Sequence, residues 1–242
     1  MAEKGIWQAI VLLTLSVAAL TYRRVAEPHS RILWFTMATE NHPALTKLRD
    51  MSHRFGEEVN VIHVEPSLAE LKKLVESEKL QPNDILIVSD ATSVMQAKSQ
   101  DTIRKRFLTF RRPIVFAGKE APTDKTLAGR YGILARIQPF PYLNHKLFVG
   151  RVNAIRQLLA NQPLADADEP EKVLTNAIQR QPWLAEIDTR GELFITHVKK
   201  SPLSALEFDS HNHRVSCRGS GTQPCAIQSD ESVIPFYAYF SV

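Results

Sequence analysis

Cysteine is scarce in this sequence: only Cys217 and Cys225 occur among 242 residues. Together with the eight histidines they form no zinc-ligand spacing, which excludes a structural zinc module. No G-x-G-x-x-G follows the first predicted strand, so the phosphate-cradling turn of a dinucleotide-binding fold is missing. There is no Asn-x-Ser/Thr acceptor for N-glycosylation and no internal repeat. One sign of charge does not dominate either. The formal net charge is +4, too mild to argue for a nucleic-acid partner. The densest basic run is Arg104-Lys105-Arg106 with Arg111-Arg112. Ile103, Phe107, Leu108 and Phe110 interleave it at helical spacing, and it reads as a solvated helix face.

What the sequence does hold is 44% hydrophobic residues, which suits one α/β domain with an ordinary core. Residues 5–20 are apolar apart from Gln8, Thr14 and Ser16, with Lys4 before them and Arg23-Arg24 after. A run of this length stands at the short edge of a bilayer span. Two readings stay open. Residues 1–24 form a hydrophobic helix acting as a signal anchor, or a signal peptide is cut after Ala19, where Val17 and Ala19 fit the small-residue rule. Either one sends the rest to the secretory route. The anchor makes a type II single-pass protein of the endoplasmic reticulum or Golgi with a lumenal domain; cleavage makes a secreted one. Residues 25–30 are a short linker, and residues 31–242 are the folded domain.

Strands and helices alternate in that domain. Strands are expected at 31–37, 59–64, 84–88 and 113–117; helices are expected at 43–55, from Pro66 through Val75, and at 101–110. The alternation implies a mostly parallel sheet flanked by helices. Ile85-Leu86-Ile87-Val88 reads as its central strand, buried on both faces. A polar cluster headed by Asp90 follows, at the edge where open α/β sheets bind ligands. An aspartate there also serves simply to cap the next helix. Residues 118–140 read as a long irregular segment, followed by a short strand at 147–149 and helices at 152–160 and 171–180. The last third is strand-rich, with segments at 193–196, 205–208, 215–217 and 225–227.

The order of these pieces resembles the glycosyltransferase domain of the procollagen lysyl hydroxylase (PLOD) family, a GT-A-type α/β fold. Thr36-Met37-Ala38-Thr39 is similar to the family's first-strand T-V-A-T, and Leu71-Lys72-Lys73 to an L-K-K on the second helix. The stretch from Ile87 to Val94 resembles the metal-site segment F-x-D-x-Y-D-V. The stretch from Ile114 to Glu120 resembles V-V-F-S-A-E. Tyr142-Leu143-Asn144 followed by Phe148-Val149-Gly150 resembles Y-L-N-S-G-G-F-I-G. Leu206-Glu207-Phe208-Asp209 and Pro224-Cys225-Ala226-Ile227-Gln228 are similar to the late strands that end in H-G-N-G.

The resemblance implies a UDP-sugar donor whose diphosphate is bridged by manganese, and a glycoprotein or collagen-like acceptor. It implies donor contacts from Thr36, Ala38, Thr39, Asp90, Ser93, Asn144, His145 and Lys146, and an acceptor-side acidic pair at Asp168-Glu169. The sequence departs from that pattern at several of these positions. Asp90 keeps the first metal aspartate, but the second falls at Ser93 and the metal histidine at Gln228. Ser-Gly-Gly has become His145-Lys146-Leu147, which puts side chains where glycine allows close approach to a ligand. A glycine-rich, lysine-bearing segment is absent, its lysine position falling near Ser67. Asp230 or Glu231 stands close enough in sequence to Gln228 to replace a ligand. Two readings follow. One is a glycosyltransferase-fold protein with weak or lost donor and metal binding. The other is a catalytically inactive relative used for binding or scaffolding, with no cofactor. Cys217 and Cys225 flank a turn-rich connector between two late strands, and in an oxidising lumen they are expected to form a disulfide; the alternative is two free thiols. The oligomeric state is not legible.

Overall fold

A computed structural model describes residues 30–39, 43–91, 93–162, 164, 169–197, 206–209, 214–217 and 221–229. The apolar run at 5–20 lies outside these residues, as do Asp168, Asp230 and Glu231. Among the described residues no helix is long and apolar enough to cross a membrane.

The first strand, β1 (Ile32–Met37), pairs in parallel with β2 (Val59–Ile62) and with β3 (Ile85–Asp90). Helices α1 (Pro43–Arg54) and α2 (Leu68–Glu76) make the crossovers. Ser67 caps α2, its hydroxyl accepting from the Glu70 amide at 3.2 Å, so the position compared with a family lysine has a local structural role here. Strand β3 is buried along Ile85 to Ser89, as its unbroken apolar run requires. Its side chains alternate between two cores. Leu86 and Val88 pack with Leu71 and Val75 of α2; Ile85 and Ile87 pack with Leu48 of α1.

After β3 the chain forms a short strand, β4 (Val94–Gln96), then α3 (Gln100–Phe107) and β5 (Ile114–Lys119). A 3-10 segment (Lys125–Tyr131) and a single turn, α4 (Leu134–Ile137), occupy the stretch read as irregular. The longest strand, β6 (Tyr142–Arg151), leads into α5 (Val152–Leu159) and α6 (Pro170–Arg180). Then come β7 (Ala185–Asp188), β8 (Phe194–His197), the hairpin β9 (Leu206–Asp209) with β10 (Arg214–Cys217), and β11 (Ala226–Ser229).

The large sheet runs β2-β1-β3-β6-β5-β8-β11-β4, with β7 also on β5. It is mixed where a mostly parallel sheet was expected. Strand β6 is antiparallel to both β3 and β5, and β4 is antiparallel to β11. The reason for β6 is where the chain re-enters. Lys119, the last residue of β5, pairs with Tyr142, the first of β6, so the chain turns back at the edge it has just left. The expected short strand at 147–149 is only part of β6, and β4 and β7 were not legible at all.

Strand β5 shares one edge between two neighbours. Its residues Ile114 to Ala117 pair with β7, and Gly118 pairs with Ile195 of β8. The turn between β7 and β8 is closed by Asp188, whose carboxylate accepts from the amides of Glu192, Leu193 and Phe194 at 2.6–2.8 Å. Gly118 lies so close to this crossing that a Cβ there would stand 2.7 Å from the Asp188 carbonyl and closer still to that of Phe140. The switch of partner brings β8, β11 and β4 round the carboxyl end of β3.

Two expectations need correction here. The basic run is not wholly solvated. Arg106 donates to the carbonyls of Glu192, at 2.8 Å, and Gln223, tying α3 to the β7–β8 turn. The cysteines are free and buried, without the expected disulfide. Cys217 lies on β10, which pairs with β9 opposite Leu206, while Cys225 immediately precedes β11 in the other sheet. The two strands are not a hairpin pair, so their side chains do not meet across a ladder.

Candidate functional site

The site at the carboxyl end of β3 is built by an irregularity in β6. Phe116 pairs with Phe148, but the next residue, Ala117, pairs with Asn144. Residues 145–147 are therefore extruded from the β5 ladder, while Leu147 stays paired to Ser89 of β3. The bulge falls on the segment compared above with Ser-Gly-Gly. Its three side chains separate. Leu147 is fully buried in the core with Trp34 and Ile87, and does not reach a cleft as expected. His145 is largely enclosed, and Lys146 is half exposed and reaches Asp90, with Nζ 3.7 Å from Oδ2.

Asn144 holds the bulge. Its amide donates to Thr196 Oγ1 at 2.7 Å and to Gln228 Oε1, and its Oδ1 accepts from the Lys146 backbone amide at 3.0 Å. Gln228 in turn donates to Ser93 Oγ at 3.2 Å. All four side chains, Ser93, Asn144, Thr196 and Gln228, are buried. Strand pairing explains the convergence. Gln228 lies opposite Val94 in the β11–β4 ladder and opposite Thr196 in the β11–β8 ladder. Ser93 and Gln228, the two positions compared above with family metal ligands, thus meet although 135 residues separate them.

A second polar group adjoins it. Lys119 Nζ is 2.7 Å from Glu171 Oε2 and donates to Thr123 Oγ1 at 2.6 Å; the Thr123 amide also points at the Glu171 carboxylate. Both charges are nearly sealed from solvent. Sequence reasoning missed Lys119, Glu171 and Thr196 as site residues. The available signal was an ionisable residue closing a buried apolar strand and a glutamate directly after the proline that opens a helix. The acidic residue brought into this region is Glu171, while Glu169 is exposed at the helix N-cap and makes no side-chain cap bond.

Burial pushes the His145 imidazole down to about 4, and the Lys119 and Lys146 ammoniums push the same way against Glu171 and Asp90. It is neutral at physiological pH, and its Nδ1 has no hydrogen-bond partner among the described residues. Of the charged groups acting on it, the two ammoniums outweigh the two carboxylates.

Of the residues compared with donor contacts in and just after β1, two are buried. Thr36 is fully buried and donates to the Ser89 carbonyl at 3.0 Å. Ala38 is buried, and its amide donates to the Ile62 carbonyl at 3.0 Å. Thr39 is exposed.

Residues 28–235 match the PLOD GT domain family. The chain belongs to that family. It is 24% identical over 247 aligned positions to procollagen-lysine,2-oxoglutarate 5-dioxygenase 2 of Mus musculus. That alignment covers 93% of this chain and 33% of the relative, so the chain spans about a third of the length of the curated relative it matches. Among solved structures, a glycosyltransferase involved in the glycosylation of the major capsid of PBCV-1 is similar at 9% identity and a TM-score of 0.47, covering 85% of this chain and 97% of that one. A putative glucose-1-phosphate thymidylyltransferase from Bacillus anthracis, in complex with a sucrose, is similar at 8% identity and a TM-score of 0.36, over 70% and 72% of the two chains.

Among the described residues the donor set does not fit a divalent cation of the kind the family resemblance implies. Hard divalent ions are held by several oxygens, carboxylates foremost. Here Asp90 supplies one carboxylate, already facing an ammonium. Ser93 and Gln228 are committed to each other and to Asn144. Among the described residues no group of three or more His, Cys, Asp or Glu is placed to hold a metal.

Proposed function

We propose that this chain is a PLOD-like, GT-A-type glycosyltransferase-fold domain that binds manganese and UDP-sugar weakly or not at all. In this reading it is a membrane-anchored, lumenal protein of the endoplasmic reticulum or Golgi. Kinship with a UDP-sugar-dependent fold points to a collagen-like or glycoprotein acceptor for any residual transfer. The observation that carries the reading is the pairing of side chains with one another at the positions compared with metal ligands. Lys146 faces Asp90, and the Gln228 amide spans Ser93 and Asn144. An ammonium is a fixed single charge, and it leaves no coordination positions for a diphosphate to share with a cation. Calorimetric titration with UDP, with and without manganese, tests this. No measurable heat at submillimolar ligand is expected; micromolar binding of either would overturn it.

The same observation favours a second reading, a catalytically inactive domain kept for binding or scaffolding. A site that its own side chains fill retains the fold without the chemistry. Sugar transfer from a labelled UDP-sugar to a collagen-like peptide, measured beside the titration, separates the two. Lumenal placement is tested by protease digestion of sealed microsomes: the folded domain is expected to survive until detergent is added.

A further inference from the structure

Residues 120–141 connect β5 to β6 at the carboxyl edge of the sheet, beside the bulge. The base of this connection is fixed, because Lys119 and Tyr142 pair in the β5–β6 ladder and hold its two ends one strand spacing apart. Beyond the base it is fastened to α6 by polar contacts. The Thr123 amide donates to the Glu171 carboxylate at 3.2 Å, and the Tyr131 hydroxyl is 2.9 Å from that of Thr175. The Arg130 guanidinium donates to the Asn176 side chain, and the Gln179 amide donates to the Arg130 carbonyl at 3.2 Å. Glu171, Thr175, Asn176 and Gln179 recur at the spacing of one side of a helix. Apolar anchoring is thin by comparison. Leu127 is buried and Tyr131 meets Tyr142 edge-on, but Ile133 and Ile137 stand 72% and 65% exposed. A segment held by solvent-accessible polar contacts, with little buried apolar surface, opens locally at lower cost than core strands do.

We propose that residues 120–138 form a flap that unfastens from α6 as a unit, with the Lys119–Glu171 pair as its latch. Thr123 closes the latch. Its hydroxyl accepts from Lys119 at 2.6 Å while its amide faces Glu171. Closed, the flap keeps both charges nearly sealed from solvent. Opening separates them, but it also returns an ammonium and a carboxylate to water, and the recovered hydration offsets much of the lost attraction. An apolar contact of the same size would gain nothing on exposure, so an ionic latch releases more readily. Open, the flap presents Lys119 and Glu171 at the edge where open α/β sheets bind ligands. Both groups act electrostatically on His145, so the latch borders the bulge that carries His145 and Lys146. The flap thus controls how many charged groups that edge of the sheet offers to an incoming molecule.

Two measurements on the full chain test the proposal. In the first, Arg130→Cys and Asn176→Cys are combined and bridged by a short, reducible bis-methanethiosulfonate, which ties the flap to α6. Cys217 and Cys225 are buried and remain unreactive while the chain is folded. Acetylation of Lys119 by an N-hydroxysuccinimide ester is followed by peptide mass, with the exposed Lys125 and Lys172 as references. The bridge is expected to slow acetylation of Lys119 roughly tenfold and to leave both references unchanged, and thiol reduction is expected to restore the rate. An equal rate with and without the bridge overturns the proposal, as does a Lys119 that reacts only once urea has unfolded the whole chain. The second measurement needs no substitution. Native-state hydrogen exchange is expected to show the amides of residues 123–131 exchanging together, roughly tenfold or more faster than those of β3. Protection equal to that of β3 would mean that the segment opens only when the whole domain unfolds, and that also overturns the proposal.

Discussion

Building a divalent-metal site at the end of β3 is expected to take three substitutions. Ser93→Asp and Gln228→His would add a second carboxylate and an imidazole to Asp90, and strand pairing already converges these positions. Lys146 remains, with its ammonium 3.7 Å from the Asp90 carboxylate. Two unit charges near 4 Å interact by about 4 kcal/mol at an effective dielectric near 20. Lys146 is 48% exposed, so solvent and salt reduce that to roughly 1–2 kcal/mol. A divalent ion bound at Asp90 with the ammonium still about 4 Å away is repelled by about twice that magnitude, roughly 2–4 kcal/mol, or one to three powers of ten in affinity. Manganese titration of the parent, the double variant and the triple variant with Lys146→Ala measures it. The double variant is expected to bind weakly, and the triple variant at least tenfold more tightly. Circular dichroism checks that the buried changes leave the fold intact. Equal affinity in the double and triple variants would refute the argument that the lysine occupies the cation's place. A triple variant no better than the parent would refute the convergence of the three positions.

Glu171→Gln should cost about 3–5 kcal/mol in urea unfolding, because it strands the Lys119 ammonium inside the protein; Lys119→Met/Glu171→Leu together should cost far less. A loss below ~1 kcal/mol for Glu171→Gln would contradict the buried placement of the pair. His145 has an ordinary value of 6.5 and titrates near 4 in the fold, so the unfolded chain binds the extra proton first. Its effect is absent above about pH 6.5, and stability falls by up to ~3 kcal/mol as pH drops towards 4. His145→Gln should flatten that slope, and an unchanged slope would sink the assignment. Thiol titration is expected to count two free thiols in the denatured, unreduced protein and none reactive in the folded one, since both cysteines are buried and unpaired and burial pushes the Cys225 thiol up to about 11. Finding no thiol after denaturation would restore the disulfide.

The local sequence determined the elements whose signal is local. Ile85 to Val88 is uniformly apolar because β3 is covered on both faces, and Leu45, Leu48 and Met51 repeat at helical spacing because α1 has one buried side. The order of motifs was enough to place the chain in its family. The direction of β6 was not legible, since strand polarity depends on which sheet edge the chain re-enters and no residue pattern encodes that. The short β4 and β7 carry too few residues for a period to emerge. Cysteine spacing suggested a bond, but the two cysteines are not cross-strand partners and their thiols are free. The character of the site was likewise a tertiary decision. Lys146 faces Asp90 only because β6 extrudes residues 145–147 from its ladder with β5, and Lys119 finds Glu171 across 52 residues. A sequence states which charges exist; whether an ammonium meets a carboxylate or a metal does depends on distances of a few ångströms that only the packed sheet sets.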